Sequence, residues 1–160
     1  MKKVLLSMLL VVFSVASASA QFERDKKYLG ASLNGIGFSY SESTKFQIGL
    51  GAKAGYMIER DFMLIGDFGF NYRNKEAQEV YIGGAGRYFI EQNGIFLQLG
   101  AHYVHRAKSF NDLTITPEVG YCFFLNRHLT IEPSIYYDIS VTDFSDKSTF
   151  GIKASLGWYF

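Results

Sequence analysis

The chain has 160 residues and a formal net charge of +1, so nothing in its charge points to nucleic acid or an acidic partner. Aromatics make up 17% of it, with 15 Phe and 11 Tyr, and 16 Gly stand against 2 Pro, which is a β-rich composition. A lone cysteine, Cys122, excludes an internal disulfide framework and reads as a small packed side chain.

Residues 1–20 carry Lys2 and Lys3, an apolar core from Val4 to Val15, and Ala18-Ser19-Ala20 as a small-x-small cleavage site. This is the pattern of a cleaved secretory signal peptide, and its apolar core is too short for a membrane helix of ~20 residues. No cysteine follows the cleavage site, so a lipoprotein anchor is not indicated. Residues 21–160 are expected to form one domain of about 140 residues.

After a polar lead-in from Gln21 to Lys26, Tyr28 to Tyr40 alternates through Leu29, Ala31 and Leu33, then changes phase to Ile36, Phe38 and Tyr40. The change predicts a bulge or kink near Asn34-Gly35. Ser41 to Lys45 reads as a loop. Phe46 to Ile58 alternates without a break, and Glu59-Arg60-Asp61 turns it into Phe62 to Arg73. Asn74 to Gln78 is a polar loop before Glu79 to Ile90, and Glu91 to Gly94 is a hairpin turn into Ile95 to Arg106. Ala107 to Asp112 reads as a loop, Leu113 to Leu125 as a strand, Asn126 to His128 as a turn, and Leu129 to Ser140 as the next strand. Pro117 and Pro133 fall on the apolar faces of these two strands, each at the cost of a ladder bond. Val141 to Ser148 is the longest loop. It leads to Thr149 to Phe160, where every even residue from Phe150 onward is apolar.

The result is about eight strands of roughly twelve residues, with no helical periodicity after residue 20. A strand of that length, at ~3.3 Å per residue and tilted by ~40°, spans an apolar band of ~25 Å. Alternation alone does not say which face points inward, since a soluble barrel alternates in the opposite sense. Composition decides it. The polar face is dominated by Gly49, Gly51, Gly55, Gly83, Ala85, Gly100, Gly120, Gly151, Ser134, Ser155 and Gly157, which suits a narrow lumen and not a solvated surface. The apolar face ends in two aromatic belts. Tyr56, Phe62, Tyr88, Phe123, Trp158 and Phe160 form one; Tyr40, Phe46, Tyr72, Tyr103, Tyr137 and Phe150 form the other. The expected fold is all-β: an eight-stranded antiparallel up-and-down transmembrane β-barrel.

From Tyr28 to Phe160, and above all in the closing Leu156-Gly-Trp-Tyr-Phe160, the chain resembles the small eight-stranded outer-membrane β-barrel proteins of Gram-negative bacteria, the OmpA/OmpX-like type. The resemblance implies export to the cell outer membrane, contact with outer-membrane lipids including lipopolysaccharide, a monomeric state, and recognition of the terminal strand by the barrel-assembly machinery. Trp158, Tyr159 and Phe160 would then serve membrane-interface and assembly roles. It also implies that both termini and the turns at Glu59 to Asp61, Glu91 to Gly94 and Asn126 to His128 are periplasmic. The outer loops are short, unlike those of adhesive members.

The inward charges are the informative ones. Lys53, Asp67, Arg87, His102, Glu118, Glu132 and Lys153 are expected to form a polar network that fills the lumen, since an unpaired buried charge costs several kcal/mol. Arg73, Arg106 and Asp138 share that face. With Arg60 as the turn centre, Lys53 falls opposite Asp67, within reach of a buried ion pair. Likewise Arg87 falls opposite Gln98, and His102 lies near Glu118 if the next loop is centred on Phe110. A proton or ion path is the sharper alternative for the same residues. Catalysis finds little support: His105, Ser109 and Asp112 are close in sequence, but a triad is recognised by geometry. His102, His105 and His128 sit on different faces or at opposite ends, so no metal site is indicated, and no cofactor motif is present. The expected role is non-enzymatic, in envelope structure or as a membrane anchor. A narrow porin-like channel and a lipid A-modifying enzyme are the alternatives.

Overall fold

A computed structural model describes residues 22–36, 47–73, 77–90, 93–106, 110–142 and 148–160. The expected signal peptide, the Ser41 to Lys45 loop, Tyr40 and Phe46 lie outside the described residues. Among those described, nine strands follow in order: β1 (Lys27–Ile36), β2 (Gln47–Glu59), β3 (Phe62–Arg73), β4 (Ala77–Phe89), β5 (Ile95–Arg106), β6 (Phe110–Tyr121), β7 (Phe123–Phe124), β8 (Leu129–Ser140) and β9 (Thr149–Tyr159). All pairings are antiparallel. β1 pairs with both β2 and β9, and β6 with β8, so the sheet closes on itself. β7 continues β6 along β8, which makes eight staves. Among the described strands no edge is left open.

The prolines explain where this ladder is interrupted. Along β6 and β8, Ile115 faces Ile139, Glu118 faces Tyr136, and on β7 Phe123 faces Ile131, one unchanged register throughout. The gaps in it fall at Thr116-Pro117 and at Tyr121-Cys122, the latter opposite Pro133. A proline has no N–H to give. The break at Cys122 that divides β6 from β7 is therefore a local loss of bonds without a slip.

Period-2 alternation survives in every stave. Along β9, Phe150, Ile152, Ala154, Leu156, Trp158 and Phe160 are exposed, while Gly151, Lys153, Ser155, Gly157 and Tyr159 are buried. The register between β1 and β9 shifts between Asn34 and Ile36, where the change of phase predicts a bulge. Strand β6 begins at Phe110, so Phe110 to Asp112 belong to the wall and not to the expected loop; β4 likewise starts at Ala77, two residues early. The outer face is apolar along its length, with Leu33, Phe70, Ile82 and Leu99 each about 60% exposed. It carries one row of small residues, in which Ala54, Gly66, Gly84 and Ala101 face one another in turn across β2 to β5. Of the two aromatic belts, Tyr56, Tyr88, Trp158 and Phe160 are exposed at one end, and Tyr72, Tyr103, Tyr137 and Phe150 at the other.

Three tight turns and both described chain ends lie at the same end of the barrel. Asn93 and Gly94 close the β4–β5 hairpin: Ile95 N–H donates to Asn93 Oδ1 at 2.9 Å, and Gly94 takes φ of 91°, a left-handed conformation that suits glycine. Between β7 and β8, Asn126 Oδ1 accepts the N–H groups of His128 and Leu129, both at 2.8 Å. The N-terminal segment is tied down by Asp25 N–H to Met57 C=O and by a reciprocal pair of bonds between Lys27 and Phe160.

Candidate functional site: the barrel lumen

The lumen is filled in layers that the inward positions of the staves set. Nearest the turns is an aromatic plug, and its keystone lies in the lead-in expected to be merely polar. Phe22 is fully buried; its ring stacks on Phe89 at 3.7 Å and meets Phe124 and Tyr159 edge-on at 5.5 and 5.6 Å. Met57, Met63, Ile65, Phe96 and Cys122 complete this layer. Small and polar residues therefore line only part of the inner face. Tyr159, expected among the interface residues, is 2% exposed and belongs to the plug, whereas Trp158 and Phe160 point outward.

Above the plug lies Arg87, fully buried, with its guanidinium 3.9 Å from the centre of the Phe96 ring. Its Nη1 donates to Glu132 Oε2 at 2.8 Å and its Nε to Gln98 Oε1 at 2.9 Å. Glu132 is saturated: Oε2 also accepts from the Tyr28 hydroxyl at 3.0 Å, and Oε1 accepts from Thr130 at 2.9 Å and Tyr159 at 3.2 Å. Glu118 accepts three donors. Lys153 Nζ at 2.8 Å and Gln98 Nε2 at 3.1 Å donate to its Oε2, and the Ser134 hydroxyl donates to Oε1 at 2.7 Å. One continuous network thus crosses the lumen from Tyr159 to Lys153, joining staves that are not neighbours in the sheet.

Room for these long side chains comes from glycine. A Cβ on Gly157 would come within about 2.6 Å of Glu132, Thr130 and Tyr28, and one on Gly151 would meet the Tyr136 ring at 2.5 Å. Real side chains do not approach so closely.

Toward the far end, His102 bridges Asp67 Oδ2 at 3.0 Å and Thr116 Oγ1 at 3.2 Å, and Thr116 donates to Asp138 at 2.6 Å. Ser140 donates to Asp112 at 2.7 Å beyond that. All seven residues named for the lumen network are at most 8% exposed. Of the three relations expected among them, two differ and one holds. Lys53 does face Asp67 across the β2–β3 ladder, but no ion pair forms there, because Asp67 turns to His102 and Lys53 Nζ has no hydrogen-bond partner. Arg87 does face Gln98. His102 faces Thr114, and Glu118 faces Gln98, because the β5–β6 register centres on Lys108 and not on Phe110. The side chains of Arg73 and Arg106 lie outside those described.

Tyr28, Thr116, Thr130 and Phe22 carry no charge to mark them in the sequence. The first three are inward by the same alternation that marks Glu132, but a hydroxyl announces itself less than a charge does. Phe22 precedes any periodic segment. Among the described residues, none in the lumen pairs a nucleophile with a base at an open surface. His105 is exposed and bonds Asn111 Oδ1 at 2.7 Å, Asp112 is buried on the opposite side of the wall, and Ser109 lies outside the described residues. Among the described residues no cluster of three metal-ligating side chains exists.

No protein-family model matches the chain, and no curated protein matches it by sequence. Solved structures do. The N-terminal β-barrel domain of Pseudomonas aeruginosa OprF superposes with a TM-score of 0.67 at 12% identity, over 86% of this chain and 98% of that one. Neisserial surface protein A gives a TM-score of 0.63 at 13% identity, over 84% and 97%. The outer membrane protein OprG of Pseudomonas aeruginosa gives 0.60 at 12%, over 88% and 98%. The chain folds as a closed, eight-stave antiparallel barrel of the kind found in small outer-membrane proteins.

Proposed function

We propose that the protein is an integral outer-membrane protein whose barrel is a solid, non-conducting body, serving envelope structure or anchoring a partner in the membrane. The observation that carries this reading is the pairing of a continuous apolar exterior with a filled interior. Monomeric soluble proteins rarely expose apolar patches beyond a few hundred Å². Here outward Leu, Ile, Val and Phe residues cover every stave, bounded at both ends by aromatics. The likeness in fold to OprG, an outer membrane protein by description, supports the same location. Inside, the aromatic plug and the charge network leave the geometry of a packed core, as eight-stranded barrels of small diameter require.

Two ion pairs, Arg87 with Glu132 and Lys153 with Glu118, cross the lumen and occupy its middle. Phe160, exposed on the outer face just after β9, is the residue proposed to present that strand to the assembly machinery. The test is fractionation of cells expressing the full chain. Recovery with outer membranes, release only by detergent, and faster gel migration of unheated than of heated protein are expected. Extraction without detergent would overturn the reading.

A further inference from the structure

Four side chains toward the far end of the lumen form a hydrogen-bonded chain whose protons can be counted. Asp67 Oδ2 lies 3.0 Å from His102 Nε2, His102 Nδ1 lies 3.2 Å from Thr116 Oγ1, and Thr116 Oγ1 lies 2.6 Å from Asp138 Oδ1. The chain runs from β3 through β5 and β6 to β8. Asp67, His102 and Thr116 are at most 8% exposed, and Asp138 is part-buried.

Each of the three contacts needs one proton between its two heavy atoms. A neutral imidazole brings one, the Thr116 hydroxyl brings one, and an ionised carboxylate brings none. Both ends of the chain are carboxylates, so two protons cannot serve three bonds. If Thr116 donates to Asp138, it can only accept from His102 Nδ1–H, and Nε2 must then carry a second ring proton for Asp67 or receive one from it. If Thr116 instead donates to Nδ1, Asp138 must itself be protonated. Every arrangement that keeps all three bonds therefore holds one extra proton.

The surroundings favour that proton. Among the described residues Asp67, Glu79, Asp112, Glu118 and Glu132 are buried against Lys53, Arg87 and Lys153, so it lessens an excess of negative charge. Tyr81 of β4 meets the His102 ring edge-on at 5.7 Å, and Lys53 of β2 faces Asp67 across the ladder. Lys153 of β9, Glu118 of β6 and Tyr136 of β8 lie close enough to Asp138 to act on its charge.

We infer that Asp67, His102, Thr116 and Asp138 form a one-proton binding site, along which the proton moves between two acid ends. Losing it breaks one of the three bonds that join these staves across the lumen, which makes the site a pH-sensitive latch. The chain stops at Asp67, whose Oδ1 has no hydrogen-bond partner, so it stores a proton and does not pass one through the barrel.

The test is nuclear magnetic resonance of the full chain refolded into phosphocholine micelles at about pH 7.5, where an ordinary imidazole and ordinary carboxyls have mostly given up the proton in question. Ring nitrogen shifts of His102 and carboxyl carbon shifts of Asp67 and Asp138 locate it. One proton is expected, as a second ring N–H or on one of the two carboxyls. An amide at either end brings its own donor. Asp67→Asn should therefore release the proton and leave a neutral ring with Nδ1–H, and Asp138→Asn a neutral ring with Nε2–H. A merely structural role would not produce opposite tautomers. A neutral His102 between two ionised carboxylates in the unaltered chain overturns the inference. So does a proton that persists in either variant, or the same tautomer in both.

Discussion

Glu132→Gln tests the lumen network at its most connected point. The carboxylate accepts four donors, from Arg87, Tyr28, Thr130 and Tyr159. Glutamine keeps the shape and one acceptor oxygen, but its amide cannot accept at the other. If that amide replaces Oε2, Arg87 Nη1 and the Tyr28 hydroxyl lose their acceptor; in either orientation the guanidinium loses its counter-charge. Breaking a buried pair from one side costs about 3–5 kcal/mol, because the remaining charge stays buried. The same substitution made with Arg87→Met removes that charge as well. The double variant should therefore be more stable than the sum of the two single losses by at least about 2 kcal/mol. Urea unfolding of protein in lipid vesicles measures both quantities. The only tryptophan, Trp158, is 47% exposed on the outer face and reports insertion by its emission. A loss under about 1 kcal/mol in Glu132→Gln, or simple additivity in the double variant, would refute the reasoning.

Other substitutions separate packing from chemistry. A Cβ on Gly120 runs into the Phe96 ring and Ser134, whereas one on Gly66 meets nothing within 4 Å. Gly120→Val should cost about 1–3 kcal/mol by overpacking and Gly66→Val close to nothing, so equal losses in the same unfolding assay would contradict the assignment of faces. Phe22→Ala removes the keystone of the aromatic plug. Its expected cost is about 3 kcal/mol, read as a lower urea midpoint, and no change would mean that the segment before β1 contributes nothing to stability. Phe160→Ala, which keeps the backbone bonds to Lys27, should reduce the outer-membrane level of the protein several-fold in cells while leaving refolding of purified protein nearly intact. Equal defects in both would place its role in stability and not in assembly.

Particular residues show why some of this was legible and some was not. Because strand side chains alternate with a period of two, Lys153 and Glu132 could be sent inward and Trp158 and Phe160 outward from spacing alone. Tight turns transmit register, so the centre at Arg60 placed Lys53 opposite Asp67, and the Asn-Gly hairpin placed Arg87 opposite Gln98. Where the connection is longer the inference failed: a centre off by two residues moved Glu118 away from His102. Contacts across the lumen were out of reach for another reason. Arg87 meets Glu132 and Lys153 meets Glu118 between staves that share no ladder, so barrel stagger and side-chain length decide the partners. Tyr159 reads as interfacial beside Trp158, yet the alternation that exposes one residue buries the next.

The central claim is that the barrel is filled from wall to wall by the Phe22 plug, the Arg87–Glu132 pair and the Lys153–Glu118 pair. Planar-bilayer recording of refolded protein tests it most directly. A flat baseline is predicted, and steady single-channel openings would contradict it.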